Sequence, residues 1–71
     1  MGVQENHIYR ITKLVGTSTV GFDEAVKRAV ERAQKTLRHV LWFEVKEQRG
    51  RITPAGMEYQ VTLEIGFLLE E

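Results

Sequence analysis

The chain has 71 residues, the size of a single small domain, and is 42% apolar and 28% charged, a globular composition that excludes a disordered chain. Ten basic residues balance ten acidic ones, so there is no global pull toward nucleic acid or anionic membrane. Without cysteine there is no disulfide, no thiolate nucleophile and no Cys-type zinc site.

In chain order, residues 1–6 read as a polar tail without the basic and apolar regions of a signal peptide. Gly2 does not complete a myristoylation motif, because Asn6 stands where Ser or Thr is required. No apolar run approaches a bilayer span, and the reading is a soluble cytoplasmic protein with no membrane partner. Residues 7–15 (HIYRITKLV) are rich in β-branched and aromatic side chains and predict a strand. Gly16-Thr17-Ser18-Thr19 predicts a break and a helix start. Phe22, Ala25, Val26, Ala29, Val30, Ala33 and Leu37 then recur at three and four, one stripe of a helix placed at about 20–39. Asp23 and Glu24 at its start and Lys35 and Arg38 at its end suit the helix dipole.

Leu41, Phe43 and Val45 alternate with Trp42, Glu44 and Lys46, a second strand. Pro54 and Gly56 place a turn within residues 49–56. Tyr59, Val61, Leu63, Ile65, Phe67 and Leu69 form the cleanest alternation in the chain. The expected fold class is α+β: one domain over residues 1–71, ordered β-α-β-β, with one helix on a three-stranded antiparallel sheet. Such a two-layer domain has a second sheet face left over, carrying Trp42, Thr62 and Leu68 beside Gln60 and Glu64. A chain this small without metal or disulfide commonly gains stability by association, so that face is expected at subunit contacts or a binding site.

Trp42 is the single tryptophan, and alternation turns it away from the helix with Glu44, Lys46 and Gln48. It either plugs a subunit interface or serves as a stacking platform for a flat ligand. Gln60 falls on the same face of the next strand, and its amide suits the donor–acceptor edge of a heteroaromatic ring. Arg49 is suited to an anion or a ring face. Strict alternation places it opposite Trp42, so it joins that residue only through a bulge or from a neighbouring subunit. The charged helix face is laced with i,i+4 pairs such as Glu24–Arg28 and reads as solvated, not as a nucleic-acid surface. His7 and His39 stand alone, so no metal is assigned. Thr17-Ser18 has no paired base, Gly16 and Gly21 form no nucleotide fingerprint, and no catalytic residues converge.

Read in order, Leu14-Val15-Gly16-Thr17-Ser18, Ala33-Gln34-Lys35-Thr36-Leu37-Arg38, Trp42-Phe43-Glu44-Val45, Gln48-Arg49-Gly50, Tyr59-Gln60-Val61 and Gly66-Phe67 resemble the dodecin family. The resemblance runs from about Ile8 to Glu70. It implies a hollow homododecamer of small flavoproteins that bind FMN or riboflavin as stacked pairs between subunits. Each pair would lie between the Trp42 side chains of two protomers, with Gln60 on the polar edge of the isoalloxazine and Arg49 closing the pocket. The implied role is storage and photoprotection of flavin without turnover, which makes the protein no enzyme. A structural oligomer with incidental ligand binding is the alternative. Some bacterial members also bind coenzyme A. Leu68 stands here where many relatives carry a basic residue, which weakens that expectation. Leu41 replaces a commonly polar residue, and the hairpin between Arg49 and Gln60 is about one residue shorter than usual.

Overall fold

The strand with the cleanest alternation occupies the centre of the sheet. The computed structural model describes residues 6–69, so most of the expected polar tail (residues 1–5) lies outside the described residues. Its elements are β1 (Tyr9–Ser18), α1 (Phe22–Thr36), β2 (Val40–Thr53) and β3 (Gly56–Leu68). β3 pairs antiparallel with β1 on one side and β2 on the other, giving the order β1-β3-β2. The expected helix-on-sheet architecture is therefore the one observed.

Val61, Leu63 and Ile65 of β3 are completely buried beneath Ala25, Ala29 and Ala33 of α1. Small residues on the helix let it approach the branched side chains of the sheet closely. Each fully buried Val, Leu or Ile contributes about 1.5–3 kcal/mol. Leu14, Phe22, Val26, Val30, Leu37 and Val40 surround this centre. Phe22, at the start of the helix, meets Tyr59 edge to face at 5.1 Å.

β1 and α1 both differ in their bounds from the sequence reading, and β1 begins at Tyr9 instead of residue 7. β1 runs on through Gly16-Thr17-Ser18 instead of breaking there. Gly16 faces the helix, where a Cβ would collide with the Ala25 carbonyl oxygen and lie 2.9 Å from the Ala29 Cβ. The glycine is thus a packing device within the strand. The helix is also shorter than 20–39. At its start, the buried Ser18 hydroxyl accepts from the Val20 and Gly21 amides at 2.9 and 3.4 Å and donates to Glu24 Oε1 at 2.6 Å. These bonds hold residues 19–21 in a tight connection that keeps them out of the helix. At its end, Leu37 still donates its amide to the Ala33 carbonyl at 2.8 Å but is already extended. His39, at φ 59°, then turns the chain into β2.

The helix covers β1 and β3 and leaves the flank of β2 open. Phe43 and Val45 point to the helix side yet remain exposed. The molecule measures 61 × 20 × 16 Å, because the β2–β3 hairpin runs past the helix as an arm. Its turn is confined to Thr53-Pro54-Ala55-Gly56, with Arg49–Thr53 continuing as strand. Pro at the second turn position and Gly at the fourth suit a type I turn. Gly56 has φ 135°, where an L side chain is strained, and Thr53 Oγ1 donates to its carbonyl at 2.8 Å. Among the described residues, no helix is long and apolar enough to cross a membrane.

Candidate functional site

The register of the three strands lays out the bare face as cross-strand rows. Ile11, Gly66 and Trp42 form one row. Lys13, Glu64 and Glu44 form the next, followed by Val15, Thr62 and Glu47, and then by Thr17, Gln60 and Arg49. The face is more apolar than a solvated one, with Tyr9, Ile11, Val15 and Trp42 all exposed.

Trp42 lies on this face, as alternation predicts. Its indole crosses β3 at Gly66, where an added Cβ would fall within the ring. Tyr9 meets the indole edge at 5.3 Å with the planes 69° apart. A strand glycine beneath and an aromatic edge beside it thus seat the ring, which is still 40% exposed. Sequence reasoning assigned no role to Gly66 or Tyr9. The glycine's interruption of an otherwise alternating strand was the available signal for a close approach. Tyr9 meets Trp42 only through the pairing of distant strands.

Arg49 lies on the Trp42 face, not on the opposite one. The register shifts between Val45 and Glu47, so Lys46 is an extra residue and the phase of β2 reverses beyond it. The same shift pairs Gln48 with Val61 and moves it to the helix side, away from Trp42 where alternation had placed it. Arg49 now sits directly opposite Gln60 and donates from Nε to Gln60 Oε1 at 3.0 Å. Gln60 Nε2 in turn donates to Glu58 Oε1 at 3.1 Å, and Arg51 lies 4.0 Å from the same carboxylate oxygen. Four residues of the arm thus form one polar ladder.

The structure brings Arg49 and Gln60 together but does not bring either to Trp42 within one protomer. Trp42 pairs with Gly66, six residues along β3 from Gln60. At a rise of about 3.4 Å per residue, the two are about 20 Å apart. That exceeds the length of a tricyclic ring. A ring stacked on Trp42 and held at its polar edge by Gln60 therefore needs the two from different copies of the chain.

The comparisons with known proteins now bear on this geometry. The dodecin family model matches residues 8–70. The chain belongs to the dodecin family. It is 58% identical over 65 residues to the dodecin of Thermus thermophilus, covering 90% of this chain and 94% of that one. Among solved structures, a Streptomyces coelicolor dodecin superposes with a TM-score of 0.89 at 51% identity, covering 96% of this chain and 99% of that one. A more distant relative is the calcium dodecin of Mycobacterium tuberculosis, 30% identical over 61 residues, covering 84% of this chain and 86% of that one. Among the described residues of this chain, no group of three or more His, Asp or Glu is placed to hold a metal ion.

Proposed function

We propose that this dodecin binds flavin, FMN or riboflavin, between the bare faces of two protomers in a homododecamer, storing the ring and quenching its excited state. The observation that carries the reading is the seat of Trp42. Gly66 lets the indole lie across the sheet, Tyr9 fixes its edge, and the ring remains open to a guest. The separation of Trp42 from Gln60 supports a site made by two chains. A two-fold axis running across the strands would reverse the direction of the second sheet, so that the Gln60 end of one protomer meets the Trp42 end of the other.

Chemistry fits the same residues. Bound flavin supplies a flat, electron-poor aromatic ring with a polar imide edge. The electron-rich indole of Trp42 would be the reversible electron donor to an excited ring stacked on it, returning the pair to the ground state without emission. Gln60 keeps one lone pair and one N–H after its two internal bonds, which matches one acceptor and one donor of the imide edge. The side chain of Arg49 keeps its terminal N–H groups for a phosphate or for the ring face. Leu68, across from Tyr9, brings no charge to a phosphate, so coenzyme A is left out of the proposal. The roles argued for Trp42, Gln60 and Arg49 are stacking and hydrogen bonding, and the reading is a binding protein.

The test is a fluorescence titration of FMN with the wild type and with Trp42→Ala. Stacking on an aromatic side chain is worth about 1–3 kcal/mol, so the variant is expected to lose about tenfold to a hundredfold in affinity together with the quenching. Unquenched FMN with the wild type, and a particle that falls apart in the variant, would establish Trp42 as subunit packing alone.

A further inference from the structure

The hydrogen bonds around Gln60 carry an inference that rests on the flavin reading and goes beyond it. We infer that Glu58 is a positioning residue that, together with Arg49, fixes which way round the Gln60 amide is presented to a ligand.

A glutamine amide has an oxygen that only accepts and a nitrogen that only donates, and rotating it by half a turn exchanges the two. On a bare strand both orientations are accessible, and a ligand that needs one of them must select it. Here the orientation is set before any ligand arrives. Arg49 Nε, directly across on β2, offers only a donor and takes Gln60 Oε1 at 3.0 Å. Glu58, two residues back on β3 and therefore on the same face, offers only an acceptor and takes Gln60 Nε2 at 3.1 Å. Both bonds involve a charged partner, which makes them stronger than neutral ones. The flipped amide would set a donor against the guanidinium and an acceptor against the carboxylate, losing both at once. Arg51, 4.0 Å from the same Glu58 oxygen, holds the carboxylate toward the ladder. The locked amide presents its remaining lone pair and N–H as a fixed pattern. That pattern selects rings with a matching N–H beside a carbonyl, and rejects rings of the same shape in which the N–H is blocked.

The experiment uses the full chain, wild type and Glu58→Gln, with two probes: riboflavin and its N3-methyl derivative, which keeps the tricyclic ring but lacks the imide N–H. The wild type is expected to favour riboflavin by about tenfold, the scale of one well-made hydrogen bond plus the group left unpaired. In Glu58→Gln the preference is expected to fall below about threefold, while quenching of each bound ring stays as in wild type because the Trp42 seat is untouched. In parallel, the Gln60 side-chain amide is followed by 15N NMR without ligand, and its resonances are expected to move in Glu58→Gln. An unchanged preference in the variant, or unmoved Gln60 resonances, overturns the assignment of Glu58. If the wild type binds neither probe, the flavin reading fails and the resonances alone decide: movement supports the lock and no movement overturns it.

Discussion

Two glycines, one on each face of the sheet, do the same thing for opposite ends. Gly16 of β1 omits a Cβ so that the α1 backbone at Ala25 can come down onto the sheet. Gly66 of β3 omits one so that the Trp42 indole can lie across the strand. On the helix side the space is sealed for good, and Val61, Leu63 and Ile65 have no solvent exposure. On the other side the ring that fills the space stays open on its far face. The contrast shows that one device, close approach to a bare Cα, serves permanent packing in one place and presentation of a side chain in the other. β3 takes part in both, its odd residues building the core and its even residues the candidate site.

The comparison breaks most visibly at Gly16. In Gly16→Ala the methyl meets a backbone carbonyl, which cannot rotate away as a flexible side chain would. The helix must lift off the sheet, at a cost of about 1–3 kcal/mol. Denaturant unfolding of the variant is expected to show the midpoint falling with an unchanged slope. A midpoint equal to wild type would mean that the two layers are not in close register at this point.

Gly66→Ala is the matching change on the open face, and its effect is expected in binding more than in stability. The indole is displaced from β3 and swings toward solvent, so the loss should show as a fall of about tenfold in FMN affinity with Trp42 still present. The pair Gly66→Ala and Trp42→Ala then separates a ring that is merely needed from one that must be seated. If Gly66→Ala binds FMN as tightly as the wild type, the seat has no functional consequence.

Much of this arrangement was legible in the residues, and the remainder was hidden for identifiable reasons. The three-and-four spacing from Phe22 to Leu37 reveals α1 because it reports which face is covered. It carries no information on where the backbone leaves the helix. That was decided by Ser18 bonding two following amides, and by the extended Leu37 and left-handed His39. Alternation places Trp42 and Gln60 on one face, since each belongs to a clean period-two segment. Their separation along the sheet depends on inter-strand register, which no local pattern encodes. Arg49 changed faces for a related reason. The bulge at Lys46 is one residue in an ordinary run of charged and polar side chains, with no glycine or proline to mark it. The ordered set of short segments identified the family, whose model matches residues 8–70, and left the register between the strands open.

The smallest expected effect on the protomer lies at the tip of the arm, far from both glycines. Ile52 is 88% exposed and pairs with Met57, which is also exposed, on the helix side of the hairpin beyond the point where α1 begins. Among the described residues this pair is left largely exposed, so Ile52→Ser removes little intramolecular packing. The unfolding free energy of the dissociated chain should then change by less than about 0.5 kcal/mol. In the proposed dodecamer the same two side chains are suited to a neighbour's surface, where exposed aliphatic groups of this size gain from being covered. Light scattering is thus expected to give a smaller particle for Ile52→Ser at micromolar concentration, with circular dichroism unchanged. A variant that keeps the full mass would show that the tip stays in water and that assembly is held by the bare sheet face and the open flank at Phe43 and Val45.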